Sequence, residues 1–152
     1  MNHAHLLVDV TSIRVRPSGP ATGDIELVMG STRFPGAGWN DFVIVVLDAW
    51  VTALLRLVRR QPDAERVHFM EGPYVVKMSR LDSGAIGLEA IERPGRVCAL
   101  AIREPQVLVD NALGIVTDVL AFCRECRYVD VEVERLERSS EALSHEWRRI
   151  AN

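Results

Sequence analysis

The chain has 152 residues, of which 48% are hydrophobic and 26% charged, and a formal net charge of −3. That suits one soluble domain, residues 1–152, able to bury about 70% of the surface its unfolded chain exposes; no stretch is poor enough in large apolar residues to be disordered. The negative balance argues against nonspecific nucleic-acid binding, which needs a basic face. The opening MNHAHLLVDV lacks the basic n-region and sustained apolar run of a secretory leader, so three cysteines read as reduced thiols of a cytoplasmic protein. Seventeen of the eighteen basic residues are arginine, Lys77 being the exception, which fits GC-rich bacterial coding. Residues 81–152 carry thirteen Asp or Glu against nine Arg, so the negative surplus sits in the second half.

Leu6, Val8 and Val10, then Ile13 and Val15, form two alternating runs whose phase slips around Thr11–Ser12, which predicts a bulge. The turn-forming loop 17–24 leads to a second alternating set, Ile25, Leu27 and Met29, completing a hairpin. Gly19 and Gly23 in that loop are followed by no Gly-Lys-Ser/Thr, so a phosphate loop is disfavoured. Trp39 to Arg60 holds the longest apolar run, and its density predicts a buried helix over about 41–60, capped by Asn40 or Asp41 and ended by Pro62. Trp39 is placed to staple onto Val43. Asp48, Thr52 and Arg56 line one polar stripe of this helix, and a charge at its middle argues against a membrane span.

Val67 and Phe69, then Tyr74, Val76 and Met78, flank Glu71-Gly72-Pro73 as strand, turn, strand. Turns at Asp82-Ser83-Gly84 and Arg93-Pro94-Gly95 add two more strands, the last of which, Val97 to Ile102, is apolar enough to be central. These four make an antiparallel meander. Gln106–Val109 reads as an extended piece before Asp110, which caps a second apolar helix reaching about Arg127. From Asp130 to residue 152 the composition turns charged, with Leu136, Leu143, Trp147 and Ile150 at helical spacing, an amphipathic third helix showing Glu132, Glu137, Glu141 and Arg148 to solvent. The expected fold is α+β: an antiparallel sheet of about six strands, two apolar helices on one face and a charged amphipathic C-terminal helix.

Candidate chemistry is sparse. Cys123-Arg124-Glu125-Cys126 falls at a helix carboxyl end, where the dipole opposes thiolate formation, and a zinc site there would find only Cys98 and His68 as further ligands. His68 with Glu71, Glu89 and Glu92 could form an acid–base pocket on the sheet, the enzyme or ligand-binding alternative. No catalytic elbow, zincin helix, dinucleotide fingerprint or calcium loop is present, and no metal or cofactor is expected. The best charged patch for a basic protein partner is Asp130, Glu132, Glu134, Glu137 and Glu141. A homodimer through the sheet face or the third helix is a further expectation.

Phe34-Pro35-Gly36-x-x-Trp39-x-Asp41-Phe42, with Phe69-Met70-Glu71-Gly72-Pro73-Tyr74 downstream, resembles small bacterial immunity-type proteins of polymorphic toxin systems. The strings cover about the middle third of the chain and carry no binding residue over. The resemblance implies a cytoplasmic, non-enzymatic protein that binds and blocks a toxin domain.

Overall fold

The first alternating run folds as β1, Ala4–Arg14, antiparallel to β2, Thr22–Met29, in a computed structural model that describes residues 3–61 and 63–152. Ala4 and Leu6 point into the core, the register shifts between Asp9 and Arg14, and Ile13 is buried beyond the shift. This is the bulge that the slipped phase predicts, and it keeps both apolar runs facing inward. Asp9 builds it: its carboxylate accepts the Thr11 amide and hydroxyl at 3.0 and 2.6 Å, and its carbonyl accepts Ser12 Oγ at 2.6 Å. Two short strands not expected from the sequence, β3 (Thr32–Phe34) and β4 (Asn40–Asp41), also pair with β2 and complete a four-stranded sheet. They are too short to show alternation.

Helix α1 spans Val43–Val58, within the expected 41–60, and eleven of its sixteen residues are buried. Asn40 and Asp41 do not cap it, because both are in β4; Phe42 takes the cap position without a capping side chain. Pro62 lies outside the described residues. The helix already closes before it, with the Gln61 amide on the Arg56 carbonyl at 3.3 Å and the Arg60 amide on the Leu57 carbonyl at 3.1 Å. Arg60 sits there at φ 58°, a left-handed position where glycine is the usual residue.

The second sheet is the expected meander: β5 (Ala64–His68), β6 (Val75–Arg80), β7 (Ile86–Arg93) and β8 (Arg96–Arg103), in that spatial order. Gly72 turns the first hairpin at φ 87°, where an added Cβ would lie 2.9 Å from the Tyr74 ring. β8 is not central. It is an edge strand, with Val97, Leu100 and Ile102 at 44%, 68% and 50% exposure, so its apolar character reflects an open face rather than burial on two sides.

Helix α2, Pro105–Glu125, starts five residues before the expected cap. Proline at the first helical position has no amide to lose and a φ already suited to a helix, so Gln106–Val109 is helical rather than extended. Asn111 on this helix donates to and accepts from the Leu6 backbone at 3.1 and 2.8 Å, closing part of the β1 edge as a strand would. Helix α3, Val131–Ala151, packs on α1 by one stripe that includes Leu136 and Leu143. α1 thus lies between β2, β5 and β6 on one side and α2 and α3 on the other. The described residues form an α+β fold of two four-stranded antiparallel sheets and three helices, in place of one sheet of about six strands.

Asp41 joins the two halves. Its carboxylate, in a residue 1% exposed, accepts the Phe42 amide at 2.7 Å, the Trp39 indole at 3.0 Å, and the Met70 and Glu71 amides at 3.1 and 3.2 Å. Around it, Phe34 meets Phe69 and Tyr74 edge-on, and Trp39 meets Tyr74 at 5.1 Å. Replacing Asp41 by Ala would remove the shared acceptor of four donors, two beside the first sheet and two in the turn after β5; urea unfolding should show a loss of about 3–5 kcal/mol.

Candidate functional site

The expected acidic patch divides in two. Asp130 is the N-cap of α3, accepting the Glu132 amide at 3.2 Å. Glu132, expected in solvent, is only 6% exposed: its Oε1 accepts the Tyr128 hydroxyl at 2.7 Å and the Ala21 amide at 3.1 Å, tying the loop before β2 to the start of α3. Its position was readable, since Glu132 lies four residues before Leu136 and eight before Ser140, on the same buried stripe. Burial, and then the bond to Glu132, push the Tyr128 hydroxyl well above its ordinary pKa.

Glu134, Glu137 and Glu141 are exposed, and with Asp130 they fall within a sector of roughly 60° on α3 at about 100° per residue. Among the described residues no ion pair reaches any of the three glutamates, Arg135 and Arg138 of the same helix included. Their spacings of three and four residues set like charges side by side, a repulsion of roughly 0.2–0.5 kcal/mol per pair. Asp130, Glu134 and Glu137 also border a cleft of about 330 Å³ between the end of α2 and the start of α3, whose floor includes Leu120, Cys123 and Val133.

Cys123 in that floor is 2% exposed, and burial, with the charges of Cys126, Glu132 and Glu137, pushes its thiol up to about 11. Cys126 is exposed at the α2 carboxyl end. Burial, and then Glu92, raise the Cys98 thiol as well. No group of three or more His, Cys, Asp or Glu among the described residues is placed to hold a metal ion.

His68, Glu71 and Glu89 do not converge. His68 is exposed on β5, Glu89 is on β7 beside Lys77 with β6 between them, and Glu71 is in the turn after β5 with its amide on Asp41. Two strand spacings put His68 and Glu89 roughly 10 Å apart across the sheet, beyond hydrogen-bond reach. Glu92 pairs with Arg96 at 3.0 Å. The polar stripe of α1 is engaged within the fold: Ser139 of α3 donates to Asp48 at 2.5 Å, and Arg56 pairs with Glu65 of β5 at 3.2 Å. By length and composition, the one described helix able to cross a bilayer is α2 rather than α1, and a third of its most apolar window is buried in this fold.

A third buried carboxylate, Glu26, accepts Arg33 Nε and the Gly38 amide, the latter at 3.0 Å. Burial raises its pKa, but the Arg33 and Gly38 hydrogen bonds and the Arg33 and His5 charges outweigh that and hold it below its ordinary value. The two strings singled out in the sequence meet here: Phe34, Trp39 and Asp41 pack against Phe69, Met70, Glu71 and Tyr74, so in this fold they build the joint between sheets. No family model, curated protein or solved structure matches the chain.

Two solution measurements follow. Glu26 has a lowered folded pKa, so its stabilisation is complete above about pH 4.5 and lost as the pH falls through the folded value. Glu26→Gln should therefore flatten the acid limb of a stability-versus-pH curve. At pH 8, iodoacetamide should alkylate Cys126 in the native protein and leave Cys123 unmodified until denaturant is added.

Proposed function

We propose that this chain is a cytoplasmic, non-enzymatic protein-binding module of the immunity type, whose partner is a basic toxin domain received on the α3 face formed by Asp130, Glu134, Glu137 and Glu141. The observation that carries the reading is the set of three exposed glutamates held on one face of α3, none of them in an ion pair among the described residues, with Arg124 and Arg127 across the neighbouring cleft. A cationic partner would relieve the repulsion on binding and be steered toward the face before contact. The resemblance carried by the strings at residues 34–42 and 69–74 points to the same class. The dispersal of His68, Glu71 and Glu89 weighs against the pocket-enzyme alternative.

The variant Glu134→Gln/Glu137→Gln/Glu141→Gln should fold with a stability within about 1 kcal/mol of the parent, because the repulsion removed offsets the loss of the Glu134 charge from the first turn of α3 and no buried contact is touched. Affinity capture with the parent should retain a basic protein encoded by a neighbouring reading frame, and the variant should associate with it about ten- to a hundredfold more slowly at low salt. Capture of that protein equally by parent and variant, or of no basic partner by either, would overturn the reading.

A second reading rests on the open face of the second sheet. Val97, Leu100 and Ile102 are exposed on β8, and Lys77 and Glu89 lie beside each other on β6 and β7 at 4.0 Å, so a second copy related by a two-fold axis could pair each charge with its opposite. Light scattering should then give twice the chain mass, reverting to one chain mass in Leu100→Asp.

A further inference from the structure

Where α1 and α3 end side by side, an open cleft of about 330 Å³ has an apolar floor and a cationic rim. Leu57, Val58 and Ile86, at most 9% exposed, make the floor; Trp147, Ile150 and Pro105 make the walls. The rim carries Arg59, Arg60, Arg80 and Arg149, and no carboxylate of the described residues lines the cleft. Two carboxylates reach these guanidiniums from outside it: Glu146 bonds Arg149 at 2.6 Å and Asp63 lies 3.3 Å from Arg80. Among the described residues, Arg59, Arg60 and Arg149 share the single carboxylate of Glu146, which makes the mouth of the cleft cationic in a chain whose net charge is −3.

Arg80 has a structural task, donating to the Leu57 carbonyl at 2.6 Å. That bond, together with the Gln61 and Arg60 amides on the Arg56 and Leu57 carbonyls, occupies the negative end of α1 that would otherwise repel an anion. Arg59 and Arg60 are exposed at the mouth of the cleft, and the Arg149 hydrogen bond and charge, joined by the charge of Arg59, hold the Glu146 carboxyl below its ordinary pKa. Arg60 moreover occupies a left-handed position, φ 58°, at which glycine would be more stable by roughly 1 kcal/mol. Arg127, just past the end of α2, takes the same conformation at φ 55°, so the case for Arg60 rests on its place at the cleft mouth.

We propose that this cleft is a binding site for a small anionic amphiphile, an apolar body seated on Leu57, Val58, Ile86 and Trp147 with its carboxylate on Arg60 and Arg149. The volume lies at the lower end of the roughly 300–1,000 Å³ range of small-ligand sites, which suits a compact molecule rather than a long lipid. Planar guanidiniums at the mouth match a carboxylate in a way an apolar cleft alone does not. The site is separate from the acidic face of α3 and does not depend on the reading of that face.

The test titrates octanoate into the isotopically labelled full chain and follows the Trp147 indole resonance, assigned by its loss in Trp147→Phe. Saturable shifts are expected with octanoate, and at least about tenfold weaker binding with octanol or octyltrimethylammonium. Arg60→Gly separates binding from folding, because its melting temperature should rise by about 2–4 °C while octanoate binding weakens about five- to tenfold. Arg149→Gln should weaken binding by a similar factor. Equal binding of the anionic and cationic probes, or unchanged octanoate affinity in Arg60→Gly, would overturn the proposal.

Discussion

The Asp41 carboxylate holds four donors at once, two from its own segment and two from the turn after β5, while almost wholly removed from water. Burying an ionised carboxylate costs several kcal/mol unless its lone pairs are filled, and here every donor is a group that itself needed an acceptor. The bond set fixes where α1 begins, because β4 ends at Asp41 and the helix starts two residues later. It also fixes how the β5–β6 hairpin approaches the first sheet. Strand pairing alone would leave the two sheets as separate units, since no strand of one pairs with a strand of the other.

The same device recurs with Glu26 and Glu132. Each is buried and accepts a backbone amide from an irregular segment, Gly38 in one case and Ala21 in the other. Loops 15–21 and 35–39 are anchored by Ala21 and Trp39, and a carboxylate reaching a main-chain donor adds to each hold. The carboxylates that pin loops are spent inside the fold, whereas Glu134, Glu137 and Glu141 are exposed side by side on α3 with no ion pair among the described residues.

Much of the fold was legible because hydrophobic period carries it. The bulge in β1, the meander from β5 to β8 and the three helices all follow from where large apolar residues repeat. What period could not show was the neighbour. Val97–Ile102 looks the same in composition whether a strand is central or exposes an apolar face at an edge, and only the sheet order distinguishes them. Asn40 and Asp41 look like caps because caps and short strands beside turns use the same residues. Glu132 was misplaced by its charge, although its spacing from Leu136 put it on the buried stripe. The cleft between the ends of α1 and α3 was invisible to spacing, since its residues come from five separate elements, the turn after α1 and the β6–β7 turn.

The central claim is that the two sheets are locked to one another through Asp41. Native-state hydrogen exchange tests it most directly, because Met70 and Glu71 are exposed residues whose amides should exchange fast unless the buried carboxylate holds them. The account predicts protection of both amides approaching that of Leu47 and Leu54 in α1. Exchange of Met70 and Glu71 at unprotected-loop rates, with β5 and β6 still protected, would contradict it.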